Sequence, residues 1–139
     1  MSVTDTETTI RDYIDALLNG GDFASFFSDD VLWTTMETGE QIHGRDAVRD
    51  FIVALHTQLF EAAPEVRGLA VADGVACLEA VFVGRHVAEF AGIPPTGREV
   101  RLPYAVFYDV DGRSITALRG YFPIAALIQE LREPSTATA

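Results

Sequence analysis

The order of periodicities along the chain predicts an α+β fold: a cone-shaped, curved antiparallel sheet with helices packed on its concave face. Three observations carry that expectation. Helical spacing dominates residues 1–61, period-two alternation dominates residues 66–122, and Asp73-Gly74 and Asp111-Gly112 punctuate the alternating half. Helices first and hairpin-linked strands after is the pattern of segregated α and β layers, not of alternating βαβ units.

Thr4 to Asn19 reads as a first helix, because Ile10, Tyr13, Ile14, Leu17 and Leu18 recur on one face. Thr4 and Glu7 have capping-box spacing, and Gly20-Gly21 ends the helix. A short helix over Phe23 to Phe27 leads to a turn at Asp29-Asp30, and the β-branched and aromatic run Val31 to Met36 reads as a strand. Glu37 to Gly44 is a polar hairpin or loop. From Arg45 to Glu61, Val48, Phe51, Ile52, Leu55 and Leu59 define an amphipathic third helix, closed by Pro64. Val66 to Ala72, Val75 to Phe90, Arg98 to Val110 and Ser114 to Phe122 read as four strands. Aspartate-glycine tolerates the positive φ that tight hairpins need. A strand as long as Val75 to Phe90 has to bend through bulges to enclose a conical space. Ile124 to Leu131 forms a last helix. One domain over 1–133 is expected, with a small polar tail over 134–139 that reads as flexible.

Composition excludes several functions. Ten basic residues against 21 acidic ones give a net charge of −11, with no basic stripe, so nucleic acid and anionic membranes are not expected partners. All ten basic residues are arginine, which removes lysine Schiff-base chemistry. No apolar run reaches the roughly 20 residues that span a bilayer. The polar, acidic Met1 to Glu7 does not resemble a signal peptide. The single cysteine, Cys77, fits a reducing cytoplasm and reads as a small packing residue in its apolar run. No phosphate loop, serine elbow or paired metal-ligand spacing is present, so these chemistries find little support and no metal is expected.

The stretch Gly84-Arg85-His86-Val87-Ala88-Glu89-Phe90-Ala91-Gly92-Ile93-Pro94-Pro95-Thr96-Gly97-Arg98 resembles the strand-turn-strand segment of SnoaL-like polyketide cyclases. Asp111-Gly112 followed by Ile115 to Phe122 is similar to that family's last strand, and the element order over Thr4 to Leu131 resembles the nuclear transport factor 2-like superfamily. The resemblance implies a deep cavity, a homodimer, no cofactor, and ring closure by aldol addition. It also implies an acid/base aspartate just after the last strand, ending a tyrosine-x-aspartate pattern. Here the pattern reads Tyr121-Phe122-Pro123, and proline carries no proton. The family's histidine-glycine pair is likewise replaced, by His86-Val87-Ala88.

The candidate catalytic residues are His86, Arg119 and Tyr121. Alternation places His86 on one face with Ala76, Leu78, Ala80, Phe82, Gly84 and Ala88, as the polar group at a cavity mouth or as a histidine satisfied near a strand end. Arg119 and Tyr121 are expected to share a face with Ile115 and Ala117. An arginine there polarises a carbonyl, or else pairs with a neighbouring strand's acid. Tyr13, Trp33, Phe51, Tyr104 and Tyr108 are candidate ligand-binding residues, each offering apolar area and most a polar handle, with core packing as the alternative. His43 reads as solvated in a loop and His56 as a half-buried packing residue. Glu79 is expected on the convex face, paired with Arg101 or a partner subunit, or else buried in place of the missing aspartate. Three functions remain open: a cyclase, isomerase or hydrolase acting on an apolar carbonyl compound; a non-catalytic carrier or sensor; and a dimeric interaction module.

Overall fold

The computed structural model describes residues 2–133. The flexible tail expected over 134–139 lies outside the described residues. Helix α1 spans Val3–Leu18 and buries Thr6, Thr9, Ile10 and Tyr13. Its cap is Ser2, whose Oγ accepts from the Asp5 N–H at 3.1 Å, so the expected Thr4/Glu7 box is corrected by two residues toward the N-terminus. A 3-10 turn, Phe23–Phe26, feeds strand β1, Phe27–Thr35. Asp29-Asp30 is therefore not a turn but part of a strand, at the irregularity between Phe27 and Leu32 in its pairing. The polar segment expected as hairpin or loop holds β2, Glu40–His43, which returns antiparallel against β1.

The third expected helix is shorter than its apolar stripe. Helix α2 spans Arg45–Val53, runs on as a π-helical turn over Ala54–Gln58, and gives way to strand β3, Phe60–Ala62. The Leu59 N–H donates to the Ala54 carbonyl at 2.8 Å, five residues back, which defines the wider turn. Strands β4 (Glu65–Ala72), β5 (Val75–His86), β6 (Glu99–Asp111) and β7 (Ser114–Tyr121) follow, then α3 (Ile124–Arg132). The first hairpin turns on Asp73-Gly74, with Gly74 at φ 80°. The last turns on Gly112-Arg113, one residue later than expected, because Asp111 still pairs with Ser114.

One seven-stranded sheet runs β2-β1-β7-β6-β5-β3, with β4 pairing the same edge of β5 as β3. The sheet is mixed rather than wholly antiparallel, since β1 and β7 run parallel. The long strand β5 does not carry the bulges expected of it. It pairs with β6 without interruption from Val75↔Asp109 to Arg85↔Glu99, and it ends at His86, four residues earlier than expected. Irregularities fall in other strands instead: in β4 between Val66 and Gly68, in β7 opposite Asp109 and Val110, and in β1. Each re-aims the strand that carries it.

Two apolar clusters fill the concave side. The larger joins α1 and α2 to the sheet through Ile10, Tyr13, Phe27, Val31, Tyr108, Ile115 and Leu118. The smaller gathers Phe60, Phe82, Val100, Leu102, Leu127 and Leu131 below α3. Tyr104 packs against both. The side chain of Glu37, in the β1–β2 turn, accepts from the Ile124 N–H at 2.7 Å and the Ala125 N–H at 3.3 Å. It thereby caps α3, whose own N-cap residue, Pro123, offers no side-chain bond.

Candidate functional site

A cavity of about 340 Å³ lies where the two clusters meet. That size suits a small organic molecule. β6 builds its back wall, because strict alternation turns Tyr104, Val106 and Tyr108 inward. α1 contributes Tyr13, α2 contributes Phe51 and Ile52, and β1 contributes Trp33. Thr38 and Glu40, both exposed, mark the rim. All five expected ligand-binding aromatics thus border one space.

The wall is packed ring against ring. Tyr13 lies 5.6 Å from Tyr108 and 5.6 Å from Phe27, and Trp33 lies 5.2 Å from Phe51. The Trp33 ring covers Gly120 so closely that a Cβ there would come within 2.5 Å of it. Its indole N–H donates to Thr35 Oγ1 at 2.8 Å, which fixes the ring's orientation. The polar groups left facing the space are mainly tyrosine hydroxyls. Ser28 Oγ and His86 Nε2 are the fully enclosed side-chain atoms without a partner among the described residues. No tyrosine hydroxyl is among them. Burial pushes the Tyr104 hydroxyl up to about 12, and burial with the neighbouring phenols raises Tyr13 and Tyr108 as well. All three are neutral donors at physiological pH. Among the described residues Glu40 is the one formally charged side chain on the lining, and no arginine borders it.

The expected catalytic trio is not brought together. Ile115 pairs with Val110 but Ala117 pairs with Asp109, so Thr116 is an extra residue in β7. Beyond it the inward positions are Leu118 and Gly120. Arg119 and Tyr121 are therefore corrected to the convex face. There Arg119 forms a two-pronged pair with Asp109, at 2.7 and 3.1 Å, and lies over the Phe107 ring, while Tyr121 is exposed. The neighbouring-acid alternative for Arg119 is the one realised.

His86 does face inward with Ala76, Leu78, Ala80, Phe82 and Gly84, but it stands outside the cavity, and its expected place at the mouth is corrected. It is fully buried, 5.3 Å from the Phe60 ring. Its Nδ1 accepts from the Thr96 N–H at 3.1 Å and lies 3.0 Å from Thr96 Oγ1. The Gly92–Gly97 turn is thus bolted onto β5 by a histidine that acts as a structural acceptor. Glu79 is exposed, and Arg101 pairs with Glu65 instead. His43 is exposed on β2.

His56, expected as a half-buried packing residue, is half-buried and has a further feature. It borders the cavity from the π-helical turn. Its Nδ1 lies 2.8 Å from the Ile52 carbonyl, and a carbonyl only accepts, so Nδ1 carries the hydrogen. Burial pulls its pKa below the ordinary histidine value despite that bond. It is a neutral imidazole with Nε2 left as acceptor. The available signal was its position four residues after the buried Ile52, one helical turn along the inward face.

The SnoaL-like polyketide cyclase family matches residues 8–131. Among curated proteins, none matches the sequence. A structure assigned as a SnoaL-like polyketide cyclase from Jannaschia sp. CCS1 superposes with a TM-score of 0.84 at 16% identity, covering 95% of this chain and 94% of that one. One assigned as a polyketide cyclase from Xanthomonas campestris pv. campestris gives 0.81 at 19% identity, over 93% and 98%. One assigned as a ketosteroid isomerase from Kribbella flavida gives 0.70 at 20%, over 87% and 79%. At these identities the structural likeness is one of fold. Among the described residues no helix is long and apolar enough to cross a membrane, and no cluster of metal-ligating side chains occurs.

Proposed function

The chain belongs to the SnoaL-like polyketide cyclase family, and from that premise we propose that it binds a small, uncharged, largely apolar carbonyl compound in the cavity and acts on it as a cyclase/isomerase-type enzyme. The observation that supports this most is the apolar space of about 340 Å³ whose wall carries the three neutral phenols of Tyr13, Tyr104 and Tyr108. A phenol aimed into a water-poor space stabilises oxygen charge as it develops, which is how such a wall favours an enolate over its ketone. Trp33 and Phe51 supply the flat apolar faces that hold the molecule. An anionic substrate finds no arginine on the lining among the described residues, and Glu40 at the rim repels it. Pro123 sits at the N-cap of α3 between Phe122 and Ile124, which both border the cavity, so the family's proton-carrier position abuts the site and holds no acid.

Trp33 is the chain's one tryptophan, so its fluorescence reads occupancy directly. Titration with uncharged aromatic ketones is expected to quench it saturably, and mass spectrometry of the mixture is expected to show an isomerised or cyclised product. A ligand that saturates the signal and returns unchanged supports a carrier instead, the reading that Pro123 favours. No saturation with any uncharged ketone contradicts both.

A further inference from the structure

The missing acid/base leaves a question of where a proton goes, and among the described residues the cavity lining offers two bases, the exposed Glu40 at the rim and the half-buried His56. We propose that His56 Nε2 is the base of this site, taking a proton from a carbon of the bound molecule while a tyrosine hydroxyl on β6 or α1 donates to the oxygen that gains charge. This rests on the cavity reading above.

Three independent features converge on His56. First, it borders the cavity itself, unlike the chain's other two histidines. Second, its tautomer is fixed: Nδ1–H donates to the Ile52 carbonyl at 2.8 Å, so the opposite nitrogen keeps its lone pair. Among the described residues Nε2 has no hydrogen-bond partner and is not one of the enclosed unpartnered atoms. The same carbonyl steadies the ring when the second nitrogen is protonated, as the third group of a base-orienter pair does. Third, the residue stands on a π-helical turn, a local widening that is frequent at functional sites. The Phe82 ring, 6.2 Å away and edge-on, walls its other side.

The titratable groups that share the cavity with His56 are Tyr13 on α1, Tyr104 and Tyr108 on β6, and Glu40 at the rim. The adjoining cleft, lined by Leu17, Phe23, Val53 and Ala62 as well as by His56, brings no other titratable side chain. Apart from Glu40 at the rim these groups are neutral, and His56 is unprotonated at physiological pH. In the step itself the proton leaves the carbon beside the carbonyl for His56 Nε2. The C–H electron pair becomes the enolate double bond, and the carbonyl π pair moves to the oxygen that a phenol holds. The imidazolium then returns its proton to another carbon, or to the alkoxide formed by ring closure. Burial keeps the imidazole a weak base, so the carbon acid it serves must be an activated one.

The test uses 5-nitrobenzisoxazole, an uncharged planar compound with one acidic C–H. Loss of that proton to a base breaks its N–O bond, the C–H pair becoming part of the nitrile and the N–O pair remaining on a coloured phenolate. Wild-type protein is expected to saturate with it by Trp33 quenching and to speed ring opening, with a rate that falls as pH drops through a pKa below the ordinary histidine value. His56→Gln should bind the compound equally and lose roughly 100-fold or more in rate, the range of a general base. In His56→Ala, added imidazole should restore part of the rate, which a purely structural role would not allow. Binding without acceleration in the wild type, or equal rates in wild type and His56→Gln, overturns the assignment and leaves the cavity reading intact. Absence of wild-type binding overturns both.

Discussion

Two histidines stand on either side of the Phe60–Phe82 ring pair, and they have opposite fates. His86 ends β5, buried completely against Phe60, with Nδ1 accepting from Thr96. His56 stands across from Phe82 on the π-helical turn, with Nδ1 donating to Ile52. The first nitrogen bond sets the role of the second nitrogen in each case. In His86 the hydrogen sits on Nε2 and is sealed in, whereas in His56 the lone pair sits on Nε2 beside the cavity. The same side chain is a bolt in one place and a candidate base in the other, and the difference comes from backbone geometry, not from residue type.

Stability separates the two regions most sharply. Phe60 is fully buried and touches Phe82, His86 and Phe90. Phe60→Ala is expected to cost about 3–5 kcal/mol, read by chemical denaturation. His86→Ala should follow at about 2–4 kcal/mol, because it leaves both a void and the Thr96 donors without their acceptor. Gly120→Ala attacks the cavity wall rather than the bolt. The added Cβ must push Trp33 aside, at about 1–3 kcal/mol, and Trp33 quenching by ketones should weaken with it. Loss of ligand response without loss of fold in that variant sharpens the contrast, and an unaltered response breaks it.

How much of this was legible in the sequence follows from the same contrast. Regular elements were readable: the alternation of β6 placed Tyr104 and Tyr108 on the wall, and the stripe of α1 placed Tyr13 there. The turn residues that resemble the SnoaL-like family located His86 but not its role. What periodicity misses is a single extra residue. Thr116 in β7 turns Arg119 and Tyr121 to the convex face, and a one-residue shift does this to every side chain beyond it. The π-helical turn similarly ends α2 early and brings His56 to the cavity, while the apolar stripe suggested an unbroken helix to Glu61. Such irregularities are set by tertiary packing and leave little trace in composition.

Two smaller effects refine the comparison. Because burial lowers the pKa of His56 below its unfolded value, the unfolded chain takes up a proton first on acidification. Folding stability associated with His56 is therefore present above the unfolded value and lost as pH falls through the interval down to the folded one. His56→Gln is expected to flatten the acid limb of a stability-versus-pH curve in that window while leaving stability near pH 8 within about 1 kcal/mol. Glu37→Ala removes the cap of α3 from across the cavity rim, and a loss of about 1 kcal/mol is expected by thermal unfolding.

The most direct measurement is nitrogen-15 NMR of the imidazole rings, which three histidines make assignable. The account predicts that His56 holds its hydrogen on Nδ1, titrates below the ordinary histidine value, and shifts at Nε2 when 5-nitrobenzisoxazole is added. His86 should hold its hydrogen on Nε2 and ignore the compound. A His56 with its hydrogen on Nε2, or a compound that perturbs His86 and leaves His56 unmoved, would contradict it.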